Sequence, residues 1–269
     1  MSQLVVQDDK HKQLSGLLLS DGMQRQLKLA CTRSVTPERL ARIMLTELRR
    51  TPKLMNCTQE SLLGALMQCA QLGLEPGPLG LAYIIPYGKE AQFQVGYKGL
   101  LNLVWRSELI SSVQSEVVYA GDHFEYANGI PPLLRHVPAE TRDSAAKPTH
   151  AYCVIGTTSG GWIFRVMTFE EIEKLRKKHS QAGSSSPWTT AWDEMACKTV
   201  MKRTSKRAPV SAEAQQAISL DDMSDVGLAQ NLGTTIEVEK VEPPPEVDPN
   251  TGEPIPDHVG REPEQGQLG

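Results

Sequence analysis

Five cysteines (Cys31, Cys57, Cys69, Cys153 and Cys197) are scattered along 269 residues without a Cys-x-x-Cys pair. An odd, dispersed set fits reduced thiols better than a disulfide framework. The six histidines form no His-x-x-x-His and no cluster with cysteine, so no zinc site is expected. No apolar run reaches the ~18 residues of a membrane span. The first residues, MSQLVVQDDKHK, lack a basic stretch followed by an apolar one, so no signal peptide is expected. The glycine-rich GLEPGPLG carries no Lys-Ser/Thr and runs into a strand pattern, which excludes a P-loop and a dinucleotide fingerprint. No Ser/His/Asp or Cys/His arrangement has a local signature. These absences leave a globular chain with 39% hydrophobic residues and no sign of covalent catalysis.

The C-terminal part also lacks basic residues. From Val210 onward there are 2 cations against 13 acids, whereas residues 1–209 carry a net charge of +7. A basic body with an acidic tail is one pattern of nucleic-acid binding, and a solubilising tail on an ordinary domain is the other reading. After about Ser224 the chain is acidic and rich in proline (VEPPPEVDPNTGEPIPDH). Its apolar content is too low to offset the entropy of ordering, so 224–269 is expected to be disordered.

Helical spacing recurs through the first third. Leu14, Leu17, Leu18, Met23 and Leu27 mark a helix up to Ala30. Thr36 is an N-cap with Pro37 at the first helical position, and Arg49, Arg50 and Pro52 end that helix. A third helix, from about Gln59 to Leu72, stops at Gly73 in the left-handed conformation. Leu81 to Tyr87 and Ala91 to Tyr97 form a hairpin, and Gly99 to Ser107 a short helix. Ile110 to Tyr119 reads as a strand, with another after GDHFEY. His150 to Thr157 and Trp162 to Met167 form a second hairpin around TSGG. Residues 130–149 read as loop. Thr168 and Glu171 have capping-box spacing and open a helix. SQAGSSS is a flexible link, and Ser186-Pro187 starts a last long helix. The order predicts an α+β fold with a mostly antiparallel sheet of hairpins and packed helices. An N-terminal helical segment (1–35), a core (36–211), a short helix (212–223) and the tail (224–269) divide the chain.

Two segments carry binding chemistry. In GYKG (96–99) a strand ends and a helix begins, so backbone N–H groups beside Lys98 make a phosphate seat, unless this is only a tight turn. Arg106, eight residues on, shares that helix. In the last helix Trp188 and Trp192 are four apart and predicted to share one face, as core first and base-stacking platforms second. Lys198, Lys202, Arg203, Lys206 and Arg207 place five cations in ten residues with no acid among them. A salt-bridged surface helix would interleave glutamate, so the pattern points to phosphate. Glu116, Asp122 and Glu125 are the only carboxylates considered for a Mg²⁺-dependent nuclease, and their spacing matches no metal motif.

QLGLEPGPLGLAYIIPYG, then VGYKGLLNLVWRS, then PWTTAWDEMACKTVMKR resemble, in order and spacing, the RecT family of phage and prophage single-strand annealing recombinases. The match covers roughly residues 36–211. Cys197 stands where a second lysine is common. The resemblance implies a single core related to the eukaryotic strand-annealing recombination mediators. It implies binding of single-stranded DNA and annealing of complementary strands to duplex in homologous recombination and repair. No ATP is required, and a role for Mg²⁺ stays open. It also implies homo-oligomeric rings or filaments, to which the N-terminal segment contributes, and a bacterial cytoplasmic, nucleoid-associated location without a membrane. The phosphate contacts fall on Lys98, Arg106, Lys198, Lys202 and Arg203, with Lys206 and Arg207 beyond. The acidic tail has three open readings, a contact for a host single-strand-binding protein, a contact for a phage exonuclease, or a DNA mimic that shields the basic groove, and its composition does not choose among them. Passive protection of single strands is the rival function.

Overall fold

Thr58 starts a central buried helix: its side chain accepts the Ser61 N–H at 3.3 Å, capping α4 (Gln59–Leu72). Gly73 ends it in the left-handed conformation, φ 61°. Nearly every α4 side chain is buried, because elements close on it from all sides. The computed structural model describes residues 2–141, 143, 145–179, 187–230 and 232.

Ahead of α4 lie α1 (Ser2–Leu19), α2 (Asp21–Ala30), α3 (Pro37–Arg50) and a 3₁₀ turn, Pro52–Asn56. The helix expected up to Ala30 is broken at Ser20, whose hydroxyl caps α2 through Met23 N–H. Thr36 caps α3 as expected. Leu14, Leu18, Met23 and Leu27 are buried with the α3 and α4 side chains, so the packed core begins well before residue 36.

β1 (Ala82–Tyr87) and β2 (Glu90–Val95) form an antiparallel hairpin that makes its own two-stranded sheet. Next come α5 (Tyr97–Trp105), β3 (Ile110–Tyr119), β4 (His123–Ala127), β5 (Leu133–Val137), β6 (Pro148–Thr157) and β7 (Trp162–Thr168). β3, β6 and β7 form a three-stranded antiparallel sheet in that order, and β4 pairs only with β5. Among the described residues the architecture is therefore α+β and antiparallel, but in three small sheets. β5 falls within the stretch read as loop: Leu-Leu-Arg-His-Val has no alternation, and prolines flank it. The chain continues through α6 (Phe169–His179), α7 (Pro187–Thr190), α8 (Trp192–Ser205) and α9 (Ala212–Asp225). The link SQAGSSS and the Ser186 start lie outside the described residues. At α6 the capping box closes both ways: Glu171 N–H donates to Thr168 Oγ1 at 3.2 Å, and Thr168 N–H to Glu171 Oε2 at 3.0 Å.

The glycines around GYKG serve close packing. Gly96 N–H donates to Leu81 C=O at 2.9 Å, fixing the start of α5 against the turn before β1. A Cβ on Gly99 would overlap the Leu81 carbonyl oxygen and lie 2.7 Å from its carbon. Backbone cannot swing aside as a side chain does, so Gly99→Ala is expected to cost about 1–3 kcal/mol, read as a lowered urea midpoint at unchanged m.

The chain past α9 is part of the packing too. The α9 side chains Ala214, Ala217 and Ile218 are buried, and the helix runs to Asp225. Gln230 then docks on β2: its Oε1 accepts Phe93 N–H at 2.8 Å, and its Nε2 donates to Phe93 C=O at 2.6 Å and Leu220 C=O at 2.9 Å. The expected boundary at 224 is therefore too early. Truncation after residue 224 strips these bonds and is expected to cost about 2–4 kcal/mol relative to truncation after 232, measured by denaturant unfolding of both. All described residues belong to one unit, 1–236; the remainder, 237–269, and with it most of the expected tail, lies outside them. Among the described residues no helix is long and apolar enough to cross a membrane.

Candidate nucleic-acid interface

α8 lies on one face of the three-stranded sheet. Ala196, Cys197, Val200, Met201 and Thr204 are its buried side chains, and the strand residues Ala151, Cys153, Ile155 and Met167 are buried with them. Ser115 on β3 donates through Oγ to the Cys197 carbonyl at 3.3 Å, tying helix to sheet. Burial pushes the Cys153 thiol up to about 12 and the Cys197 thiol to about 11, so neither is a thiolate at neutral pH. The opposite face of the sheet is covered by the β4–β5 hairpin. There Phe124 stacks on Tyr152 at 5.7 Å and His136 bridges Tyr152 to Asp122.

The row Lys198, Lys202, Lys206 does not stand open to solvent. Lys198 and Lys202 are buried, and α9 meets them with a matching row of carboxylates. Lys198 Nζ lies 2.8 Å from Asp221 Oδ1. Lys202 Nζ lies 2.6 Å from Asp221 Oδ2, 2.9 Å from Asp222 Oδ1 and 2.6 Å from Asp225 Oδ2. Lys206 pairs with Asp222 nearer the surface. Burial of Asp221 opposes its ionisation, but Lys198 and Lys202 outweigh that and hold the carboxyl below its usual range. Burial would likewise lower Lys202, and the three aspartates instead raise it. Removing one partner of such a pair costs about 3–5 kcal/mol, more than the ~1.5–3 kcal/mol of a charged hydrogen bond that a phosphate would return. In place of the open row of cations expected, Lys198 and Lys202 stand in ion pairs that fasten α9 to α8.

Arg106 departs from expectation in a similar way. Its Nη1 donates to Leu72 C=O at 2.9 Å and its Nη2 to Gly73 C=O at 3.2 Å, so the guanidinium caps the C-terminus of α4. Lys98 is exposed at the start of α5, with its stem beside Gly80. The two tryptophans do not share a helix face, because Ala191 (φ −147°, ψ 55°) separates α7 from α8. Trp192 packs on Phe169 at 5.4 Å and donates Nε1–H to Glu173 at 2.9 Å, making it a strut to α6. Burial opposes ionisation of Glu173, yet bonds from Arg176 and Trp192 hold its carboxyl below the usual value. Trp188 does face the cation-bearing cleft.

That cleft, about 430 Å³, runs over α8 between β7 and α9. Its walls bring together Trp188, Lys198, Lys202, Arg203 and Lys206 from the expected set, along with the three α9 aspartates. They also bring in Arg165 of β7, which the sequence reading missed. Its signal is present in WIFRVM: one cation in an otherwise apolar strand, in register with Cys153 and so on the α8 side of the sheet. Arg165 Nε is buried without a hydrogen-bond partner. A second groove of about 640 Å³ continues along β7, and Arg165 lines this one too, with Arg207. Five cations meet three carboxylates in the cleft, and the acids contact the lysines. The guanidinium groups of Arg165, Arg203 and Arg207 are left as the charged surface along the cleft and groove.

The nuclease carboxylates do not converge. Asp122 accepts from Tyr119 N–H at 2.9 Å and Ala139 N–H at 3.0 Å, besides His136 at 3.1 Å, which commits both its oxygens to the β3–β4 turn and the hairpin. Among the described residues no three His, Cys, Asp or Glu side chains are grouped to hold a metal ion.

The three sequence motifs agree with what the chain is similar to. Protein RecT of Escherichia coli (strain K12) is 41% identical over 222 residues, 79% of this chain and 81% of that one. The uncharacterized protein YqaK of Bacillus subtilis (strain 168) is 32% identical over 146 residues, 54% of this chain and 49% of that one. The RecT family model matches residues 38–239, a span that takes in α9 and the Gln230 contact as well as the three motifs. The chain belongs to the RecT family.

Proposed function

We propose that this chain binds single-stranded DNA along the α8–β7 cleft and anneals complementary strands in recombination without nucleotide hydrolysis. One observation carries the placement: Arg165 of β7 lines both the cleft, with Arg203 of α8, and the groove, with Arg207 just past α8, and none of the three pairs with the α9 aspartates. Guanidinium groups recognise phosphate in two-pronged geometry and read no sequence. Annealing needs that indifference: the protein holds backbones, and base pairing supplies the specificity. Lys206 joins the path, since its partly exposed pair with Asp222 is worth only about 0–1 kcal/mol and exchanges readily for a phosphate. Lys98 supplies a further cation at the start of α5. Assembly into an oligomer extends the path from subunit to subunit, and the acidic tail is where an exonuclease or a single-strand-binding protein would dock. No step calls on ATP.

The test mixes two complementary oligonucleotides carrying a fluorescence energy-transfer pair with the purified chain, without ATP, at a concentration where spontaneous pairing is slow. Faster duplex formation that declines with salt supports the reading. Binding without acceleration would leave passive protection of single strands as the function.

A further inference from the structure

We propose that the groove along β7 is a base-stacking subsite for single-stranded DNA, with the Trp162 indole as its platform. The inference rests on the DNA-binding reading above and adds to it a contact with the bases.

Trp162 opens β7 and is 62% exposed, a large apolar surface left in water. It is also held in place. Its register partner on β6 is Gly156, and a Cβ added to Gly156 would come 3.2 Å from the indole Cζ3. The absence of a side chain at 156 thus lets one edge of the ring rest close to strand backbone, which limits its motion, while most of the ring stays open. Tyr126 of β4, 40% exposed, and the fully exposed Ile130 line the same groove. The groove is not merely apolar. Arg165, three residues along β7 and so rooted on the opposite, α8 face of this edge strand, lines the groove across the strand edge, as does Arg207. An open aromatic plane in a groove whose lining also carries two arginines without an ion pair matches one polymer chemistry, a flat base attached to a phosphodiester. An acidic peptide would satisfy the arginines and leave the ring and Ile130 uncovered.

Stacking uses the face of a base and leaves its pairing edge free. A strand held this way is kept from folding on itself while still able to meet its complement. The contact is also tolerant of sequence, since every base has a π-face. It does for the bases what the arginines do for the phosphates.

The experiment measures anisotropy of the full chain with two labelled oligomers of equal length, oligothymidine and an abasic deoxyribose-phosphate chain, for the wild type, Trp162→Ala, Trp162→Phe and Arg207→Ala. The wild type is expected to prefer thymidine roughly tenfold, the scale of one base–aromatic stack. Trp162→Ala should bring thymidine affinity down to the abasic level, and Trp162→Phe should keep most of the preference. Arg207→Ala should weaken both ligands alike. A full preference retained in Trp162→Ala, or an equal loss on both oligomers, would overturn the subsite while leaving DNA binding in place. A wild type that binds neither oligomer would instead refute the reading on which the subsite rests. Circular dichroism of each variant checks the fold, which an exposed ring should not disturb.

Discussion

Asp221→Ala is expected to destabilise the chain by about 3–5 kcal/mol, lowering the melting temperature by roughly 6–20 °C. Asp221 is fully buried, and each of its oxygens receives a lysine ammonium within 2.8 Å. Without it Lys198 loses the carboxylate it contacts, and both ammonium groups stay largely buried at the floor of the cleft. Lys202 keeps Asp222 and Asp225. Lys198 is therefore the more damaged partner. Replacing the pair together, Asp221→Leu with Lys198→Met, should recover much of the loss, because no unmatched charge then remains at that position. Equal stability of the single and double variants would show that the site is wet and the pair weak.

The same carboxylate sets an acid limit. Its folded pKa lies below the unfolded value of about 3.9, so its contribution is complete above about pH 5. It is lost as pH falls through 4 and below, where the unfolded chain takes up the proton first. Asp222, also lowered, adds to the slope in the same direction. In Asp221→Asn the fall in stability between pH 5 and pH 3 should be shallower than in the wild type. An unchanged slope would mean that other carboxylates control acid unfolding.

The legibility of this chain follows the range of its interactions. The cap at Thr36, the left-handed Gly73 and the box between Thr168 and Glu171 are set within three or four residues, and each lies where the local pattern puts it. Both hairpins are also local, and their turns announce them. β5 is different: only its pairing with β4 makes Leu133–Val137 a strand, and nothing in those five residues alternates. The cationic helix shows the limit more sharply. Five cations without an acid look like a phosphate site because the aspartates that neutralise the three lysines lie about twenty residues on, in and just past the segment read as a short separate helix. Periodicity tells which lysines share a face. It does not tell what packs against that face. Arg165 illustrates the reverse case, a residue passed over because a single cation in a strand forms no pattern, although the register brings it beside α8.

The two kinds of cation on and just past α8 therefore predict different outcomes. Arg203→Ala combined with Arg207→Ala should leave the unfolding midpoint nearly unchanged, since neither guanidinium pairs with the α9 carboxylates. Its effect should fall on DNA. Each phosphate contact contributes about 0.7 to the slope of log affinity against log salt on a single strand, so losing two flattens it by about 1.4. At 0.1 M salt that amounts to a loss of roughly 25-fold, equal for thymidine, adenosine and mixed-sequence oligomers. Annealing should slow in step at fixed protein concentration. Lysine at both positions should restore the salt slope but only part of the affinity, because an ammonium keeps the charge and loses the two-pronged fit. Lys202→Ala should behave oppositely: a lower melting temperature, and a salt slope close to wild type in whatever fraction remains folded. A wild-type slope in the double-arginine variant, or a flattened one in a well-folded Lys202→Ala, would place the phosphate path on the other side of α8 and make α9 a cover that DNA displaces.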